Sequence, residues 1–119
     1  MRRLSASIGL LALLFVKDTT AQTRVYTPGD GVTAPRVVQK VRPVYPASAE
    51  KARRQGAVML DCVVASDGTV SDVSVSRASD EEFSDAAIAA AWQYRFTPGS
   101  KDGQPVAVRI PLEIVFTLR

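Results

Sequence analysis

Apolar and polar residues alternate most clearly in the last fifteen residues, PVAVRIPLEIVFTLR (105–119). Apolar side chains occupy every second position from Val106 to Leu118, which is the period of a strand with one buried face. Pro111 lies within this run, and proline has no N–H group to donate to a neighbouring strand. The pattern therefore predicts an edge strand, with the backbone of Pro111 facing away from the sheet.

Two more strands are predicted upstream. AVMLDCVVA (57–65) is the most apolar segment outside the N-terminus and alternates with the period of a strand. The dipeptide DG that follows it is a strong hairpin signal and leads into VSDVSVSRA (70–78). The step from Val70 to Val73 breaks the alternation, so either a bulge or the end of the turn is expected at that point.

Two helices are predicted around these strands. ASAEKARRQ (47–55) follows a proline and precedes a glycine, which favours a short helix. FSDAAIAAAWQY (83–94) has apolar residues at helical spacing, and its alanines allow close approach to a sheet. Ser79 and Glu82 have the spacing of a capping box ahead of this second helix.

The element order is thus helix, strand, strand, helix, strand. The second helix returns the chain so that the last strand runs parallel to the second, and the most apolar strand fills the place between them. The predicted fold is α+β, with a three-stranded antiparallel sheet in the order 2-1-3 and two helices on one face. The final strand then lies at an edge of the sheet.

This edge is the first functional signal. If the missing N–H of Pro111 faces outward, then the N–H groups of Arg109, Glu113 and Val115 do so as well. An open edge of this length is a template for another strand, and docking by strand addition is the function that it suggests. The alternative interpretation is that the proline itself protects the edge from pairing. The pattern leaves both interpretations open.

The N-terminus has the features of a secretory leader, assigned here to residues 1–21. Two arginines precede a thirteen-residue apolar run at 4–16, and small residues lead to a cleavage position after Ala21. The run is shorter than the roughly 20 residues that span a bilayer, although an uncleaved anchor remains the alternative. Residues 22–41 are interpreted as a linker or extended segment, and 42–119 as one domain.

Charge and composition exclude several classes of function. The leader contains three of the fifteen basic residues and one of the twelve acidic residues, so the remainder carries twelve against eleven. This balance argues against a nucleic-acid partner. The chain has no histidine, which removes the usual general base, the common nucleophile pairs and most zinc sites. We therefore expect no enzyme activity, no cofactor and no metal. Cys62 is the single cysteine and is expected to fill the core.

Several turn and aromatic motifs follow one another along the chain. They are PVYP (43–46), Ala49, Gly56, DG (67–68) with Val70 and Val73, DAA (85–87), YRFTPG (94–99), DGQPV (102–106) and Phe116. Each is weak individually, but their order and spacing are specific, and together they resemble the C-terminal domain of TonB-type energy transducers. The resemblance covers roughly residues 37–119. Tyr94 stands where that family usually has tryptophan, and Ser84 where it has aspartate.

In that family the domain binds a short segment of an outer-membrane transporter, which adds as a strand beside the last strand. The resemblance therefore implies binding roles for the backbone of the final strand and for the extended segment before Pro46. Tyr45 fits either a partner contact or packing against the sheet. The candidate partner-binding residues are Arg42, Tyr45, Arg109, Ile110, Pro111, Leu112, Glu113, Ile114 and Val115.

The departures from full transducers define the alternatives. Full transducers add a membrane helix with a histidine and a long proline-rich spacer, whereas this chain has no histidine and about 21 residues between the leader and Pro43. The expectation is a periplasmic module that binds a transporter segment or another envelope protein, without transmitting force. The alternatives are a fragment held at the inner membrane by its leader and working with a separate motor, and a structural protein that homodimerises through its sheet edges.

Overall fold

The computed structural model describes residues 24–118, so the predicted leader lies outside the described residues. Eleven elements follow one another along this part of the chain. They are β1 (Val25–Tyr26), β2 (Val32–Thr33), β3 (Arg36–Gln39), α1 (Ala47–Lys51), β4 (Gly56–Val64), β5 (Val70–Ala78), a 3₁₀ turn (Glu81–Phe83), α2 (Ser84–Trp92), β6 (Arg95–Thr97), β7 (Gly99–Lys101) and β8 (Gln104–Phe116).

The three long strands confirm the predicted order. β4 lies between β5 and β8 and is antiparallel to both, which is the arrangement 2-1-3 expected from the sequence. The fold is α+β, as predicted, but the sheet has six strands rather than three. β7 pairs with the start of β8, β2 pairs with β7, and β1 pairs in parallel with β8. β3 and β6 form a separate two-stranded ribbon.

Both helices cover the same face of this sheet. Ala49 of α1 and Ala87 and Ala91 of α2 are fully buried, so each helix approaches the sheet through methyl side chains. Alanine costs little conformational entropy on burial and permits this close contact. The sheet residues beneath them are likewise buried, namely Val58, Leu60, Cys62, Val64, Val70, Ile114 and Phe116.

β5 contains two bulges. Ser71 is the extra residue at the first, which confirms the irregularity predicted after Val70, and Ser76 is the extra residue at the second. Each serine hydroxyl donates to a carbonyl of β4, Ser71 to Val63 at 3.4 Å and Ser76 to Met59 at 3.2 Å. Bulges twist a strand and interrupt regular pairing, so the outer edge of β5 is irregular.

The first helix is shorter than predicted. It ends at Lys51 rather than at residue 55, because Arg53 adopts a left-handed conformation with φ of 59° and turns the chain toward β4. Gly56 is then the first residue of β4 and not a helix stop.

The predicted capping box is wrong by one residue. Asp80 caps the 3₁₀ turn, since its side chain accepts the Glu82 N–H at 3.0 Å. Ser79 instead accepts the N–H of Ala57 at 3.0 Å and joins the turn to the start of β4. Ser79 and Glu82 therefore do not form the reciprocal pair that their spacing suggested.

Candidate functional site

The last eight residues of β8 form an edge of the sheet. One side of β8 pairs with β4 from Val108, opposite Val64, to Phe116, opposite Gly56. Val108 also pairs with Tyr26, so β1 lies on the side of β8 opposite to β4. Within residues 24–118 no strand pairs with that side from Arg109 to Phe116. We call this stretch of backbone the free edge.

The free edge is shorter than the sequence suggested, because the expectation placed the whole final strand at an edge. Residues 104–106 pair with β7, and Ala107 and Val108 pair with β1. The predicted binding residues of the strand nevertheless all lie within the unpaired part. Within the described part of the chain, the side of β8 that faces away from β4 is therefore free of a paired strand at the predicted binding residues, whereas residues 104–108 have paired strands.

Pro111 fixes which backbone groups face outward. It lies opposite Asp61 in the ladder with β4, which continues unbroken on both sides of this pair. A proline fits such a ladder only where the paired residues exchange no hydrogen bonds with each other. Because this state alternates along a strand, the N–H groups of Arg109, Glu113 and Val115 point away from β4.

Val108 turns its own N–H and C=O to β4, so its parallel pairing with Tyr26 uses the N–H of Arg109 as a donor to the Tyr26 carbonyl. Within residues 24–118, the N–H groups that stay unpaired at the free edge are those of Glu113 and Val115.

Side chains on β8 divide between the two faces of the sheet as predicted. Ile114 is buried, and Ile110 and Leu112 pack partly buried against the core beneath the helices. The residues of the opposite face are exposed, with Val115 at 51%. They are Arg109, Pro111, Glu113 and Val115.

The side chain of Arg109 forms an ion pair with a residue of the neighbouring strand. Its guanidinium donates to the carboxylate of Asp61 at 3.0 Å, across the solvent face of β4 and β8. Both side chains are about two-fifths exposed, so the pair adds little to stability. Its consequence is electrostatic, because it balances the charge of Arg109 at one end of the free edge.

The extended segment 40–45 lies beside the other end of the free edge. Two clefts of about 380 and 390 Å³ separate this segment from the end of β8. Arg42 and Pro43 line both clefts from one side, and Val115 and Thr117 line both from the other. The segment therefore forms a wall that faces the C-terminal half of the free edge across a groove.

The groove contains residues that sequence reasoning missed. Lys40 lines one cleft, and Glu50 of α1 lines the other. The binding role of Arg42 was implied by the family resemblance, which pointed to the extended segment before Pro46 and could have indicated Pro43 as well. Nothing in the local sequence indicated that Glu50 would face the groove.

Tyr45 packs within an aromatic cluster at the base of this wall. Its ring meets the rings of Phe83 and Phe116 edge to face, with centroids 5.8 and 5.7 Å away. Phe83 and Phe116 are stacked on each other with centroids 4.5 Å apart. Edge-to-face and offset contacts are the favourable geometries for aromatic rings. Tyr45 therefore holds the wall against the end of β8, although it also lines one cleft.

Arg54 stabilises the same region through ion pairs and a hydrogen bond at the surface. Its guanidinium forms ion pairs with Asp80 and Glu82, and its backbone carbonyl accepts the hydroxyl proton of Tyr45. The hydrogen bond with Glu82, followed by the charges of Glu82 and Asp80, raises the pKa of Arg54. Arg54 thus connects the turn after α1, the start of α2 and the wall of the groove.

The remaining observations concern the cysteine, possible metal ligands and the helices. Cys62 is buried, and burial, followed by the charges of Asp61 and Asp72, raises the pKa of its thiol to about 11. Residues 24–118 contain no group of three or more acidic or cysteine side chains placed to hold a metal ion. None of the helices in this same range is long and apolar enough to cross a membrane.

Comparison with known proteins agrees with this architecture. A solution NMR structure of the Pseudomonas aeruginosa TonB C-terminal domain matches with a TM-score of 0.59 and 22% identity, over 77% of this chain and 91% of that one. This likeness concerns the fold. No curated protein matches the chain. The family described as Gram-negative bacterial TonB protein C-terminal matches residues 41–118. The chain belongs to this family of TonB C-terminal domains.

Proposed function

We propose that this protein is a periplasmic binding module that takes up an extended segment of an outer-membrane, TonB-dependent transporter as an added strand on β8. The observation that carries the proposal is the free edge, which offers outward N–H groups from Glu113 and Val115 beside a groove. An incoming strand satisfies these groups, as β-augmentation requires. The family membership supports a role in transport across the envelope.

β8 is a better docking strand than β5. β5 is at the other end of the order of long strands, but its two bulges disturb the spacing of its backbone groups. The register of β8 against β4 is continuous from Val108 to Phe116, so its outward groups are evenly arranged. Regular spacing allows several hydrogen bonds to form at once, and the free edge of β8 supplies it.

The groove gives the incoming strand a second surface. A segment lying on the free edge would pass between Val115 and the wall formed by Arg42 and Pro43. On the helix side it would extend the cover over Ile110 and Leu112, which the helices leave only partly buried. Burial of this apolar surface adds to the backbone hydrogen bonds.

The test compares Val115→Pro with Val115→Ala. Proline removes one outward N–H, whereas alanine keeps it and removes most of the same exposed side chain. Each variant is tested for binding to synthetic peptides that span the periplasmic N-terminal segments of the same organism's TonB-dependent transporters. We expect Val115→Ala to bind within about two-fold of the native chain and Val115→Pro to lose about ten-fold or more.

One outcome of this binding experiment would contradict the proposal. Equal affinity of Val115→Pro and the native chain, with unchanged thermal unfolding, would show that the peptide binds elsewhere. Light scattering over a range of concentrations addresses homodimerisation through the same edge, which would reduce peptide binding as the protein concentration rises. Mass spectrometry of the chain from the cell envelope separates a cleaved leader from an anchored one, since cleavage gives an N-terminus at Gln22.

A further inference from the structure

β1 occupies the side of β8 that the proposed docking strand would use. Val108 has Val64 on one side and Tyr26 on the other, and Val25 lies opposite Ala107. The residues paired with β1 end at Val108, but the Tyr26 carbonyl also accepts the N–H of Arg109. An incoming strand that extends past Arg109 toward Ala107 would meet β1 in the same position.

β1 is held by few contacts. It contains two residues, and Val25 is 40% exposed. The ring of Tyr26 lies 6.0 Å from the guanidinium carbon of Arg24 and 5.8 Å from the ammonium of Lys101. Such cation–π contacts are weak at exposed sites. Two residues of pairing and two weak cation–π contacts make β1 the least secured strand along β8.

β1 cannot grow along the free edge. Pro28 follows two residues later and has no N–H to contribute. Gly29 and Val32 then pair with each other through hydrogen bonds of 3.1 and 3.0 Å, which turns the chain toward β2 and β7. The local sequence thus restricts β1 to the start of the edge and leaves the stretch from Arg109 onward unpaired.

We infer that β1 is a displaceable strap that limits how far an incoming strand can pair along β8. This inference rests on the proposed function. A short segment binds from Ile110 to Phe116 with β1 in place. A longer one also pairs with Ala107 and Val108 and must first remove β1, so its apparent dissociation constant rises by the inverse of the fraction of molecules with β1 released.

The experiment uses the tightest-binding transporter peptide in two lengths. The long form is able to pair with residues 107–116, and the short form is truncated to the length that pairs with 110–116. Tyr26→Ala removes the ring that Arg24 and Lys101 contact and weakens the strap. Tyr26→Phe keeps a ring between the same cations and is the matched control.

A locked form provides the opposite change. Val25 and Ala107 are direct partners in the ladder, so the double variant Val25→Cys, Ala107→Cys places two thiols for a disulfide between β1 and β8. Cys62 is fully buried and does not compete for this cross-link. Reduction of the disulfide restores the native pairing within the same molecule.

The expected results differ with peptide length. Tyr26→Ala should tighten binding of the long peptide by about two- to five-fold, and the oxidised double variant should weaken it by about ten-fold until reductant is added. Binding of the short peptide should change by less than about two-fold in every form. Tyr26→Phe should match the native chain for both peptides.

Amide hydrogen exchange separates two kinds of failure. If the long peptide protects the amides of Glu113 and Val115 but binds all forms equally, the strap is refuted and the docking edge stands. If no peptide protects these amides in any form, the docking edge is wrong and the strap inference fails with it.

Discussion

At the scale of single residues, Cys62 shows how burial suppresses the reactivity of a side chain that contributes to core packing. Cys62 is fully buried beneath the helices, as its place in an apolar strand predicted. The pKa of its thiol is raised to about 11, first by burial and then by the neighbouring charges of Asp61 and Asp72. Since the thiolate is the reactive species, the folded chain keeps this cysteine inert at neutral pH.

This inertness is measurable. Unfolding restores a thiol pKa near the reference value of 9.0, so at pH 8 the unfolded chain should react with an aromatic disulfide reagent about 100-fold faster than the folded chain. The rate is followed by absorbance in buffer and in guanidinium chloride. A folded rate within a few-fold of the unfolded one would mean that Cys62 is accessible. The raised pKa also predicts a loss of folding stability as pH rises from about 9 toward 11.

At the scale of secondary structure, the sequence predicted the elements with a clear period and missed the others. β4, β5 and β8 have nine to thirteen residues and alternate, and the alanine pattern predicted α2. β1, β2, β3, β6 and β7 have two to four residues each, which is too few for any period to appear. They form because another strand offers a partner: β8 pairs with β1 and β7, β7 pairs with β2, and β3 and β6 pair with each other. Such tertiary pairing has no local signature.

The start of α2 shows a smaller error of the same kind. Ser79 fits the capping pattern, but it is engaged by the N–H of Ala57, a residue 22 positions earlier, and Asp80 takes the capping role. A long-range hydrogen bond therefore determines which of two adjacent residues acts as the cap. Spacing alone could not have shown that the cap is Asp80 and not Ser79.

Two substitutions of Asp80 separate its cap from its ion pair. Asp80→Asn keeps a good capping side chain but loses the charge that faces Arg54, whereas Asp80→Ala loses both. Asp80→Ala should lower the free energy of unfolding by about 1 kcal/mol, and Asp80→Asn should cost much less because the ion pair is exposed. Urea unfolding of both variants gives the comparison. Equal losses would assign the stabilisation to the charge instead.

At the scale of the whole molecule, β4 is the centre of the fold and β8 its accessible margin. β4 has long strands on both sides and helices over one face, so its backbone is enclosed. β8 is enclosed on one side only from Arg109 onward. The apolar composition of residues 57–65 predicted that this strand would be central, and Pro111 predicted that the last strand would lie at an edge. The groove was only partly predictable, because its walls come from residues about 70 positions apart.

Hydrogen exchange of the free protein should reveal this margin directly. The amides of Ile110, Leu112 and Ile114 face β4 and should exchange slowly, while those of Glu113 and Val115 face solvent and should exchange quickly. β4 amides should be among the slowest of the chain. Uniformly slow exchange along β8 would show that another part of the protein covers the margin.

The outward row of N–H groups on β8 bears on how selective this domain is. Main-chain groups are the same for every residue except proline, so a guest held by them is chosen for being extended and not for its particular side chains. Under the proposed function, one copy of the domain would serve transporters of dissimilar cargo. Discrimination among them would then fall to the few residues of the facing wall.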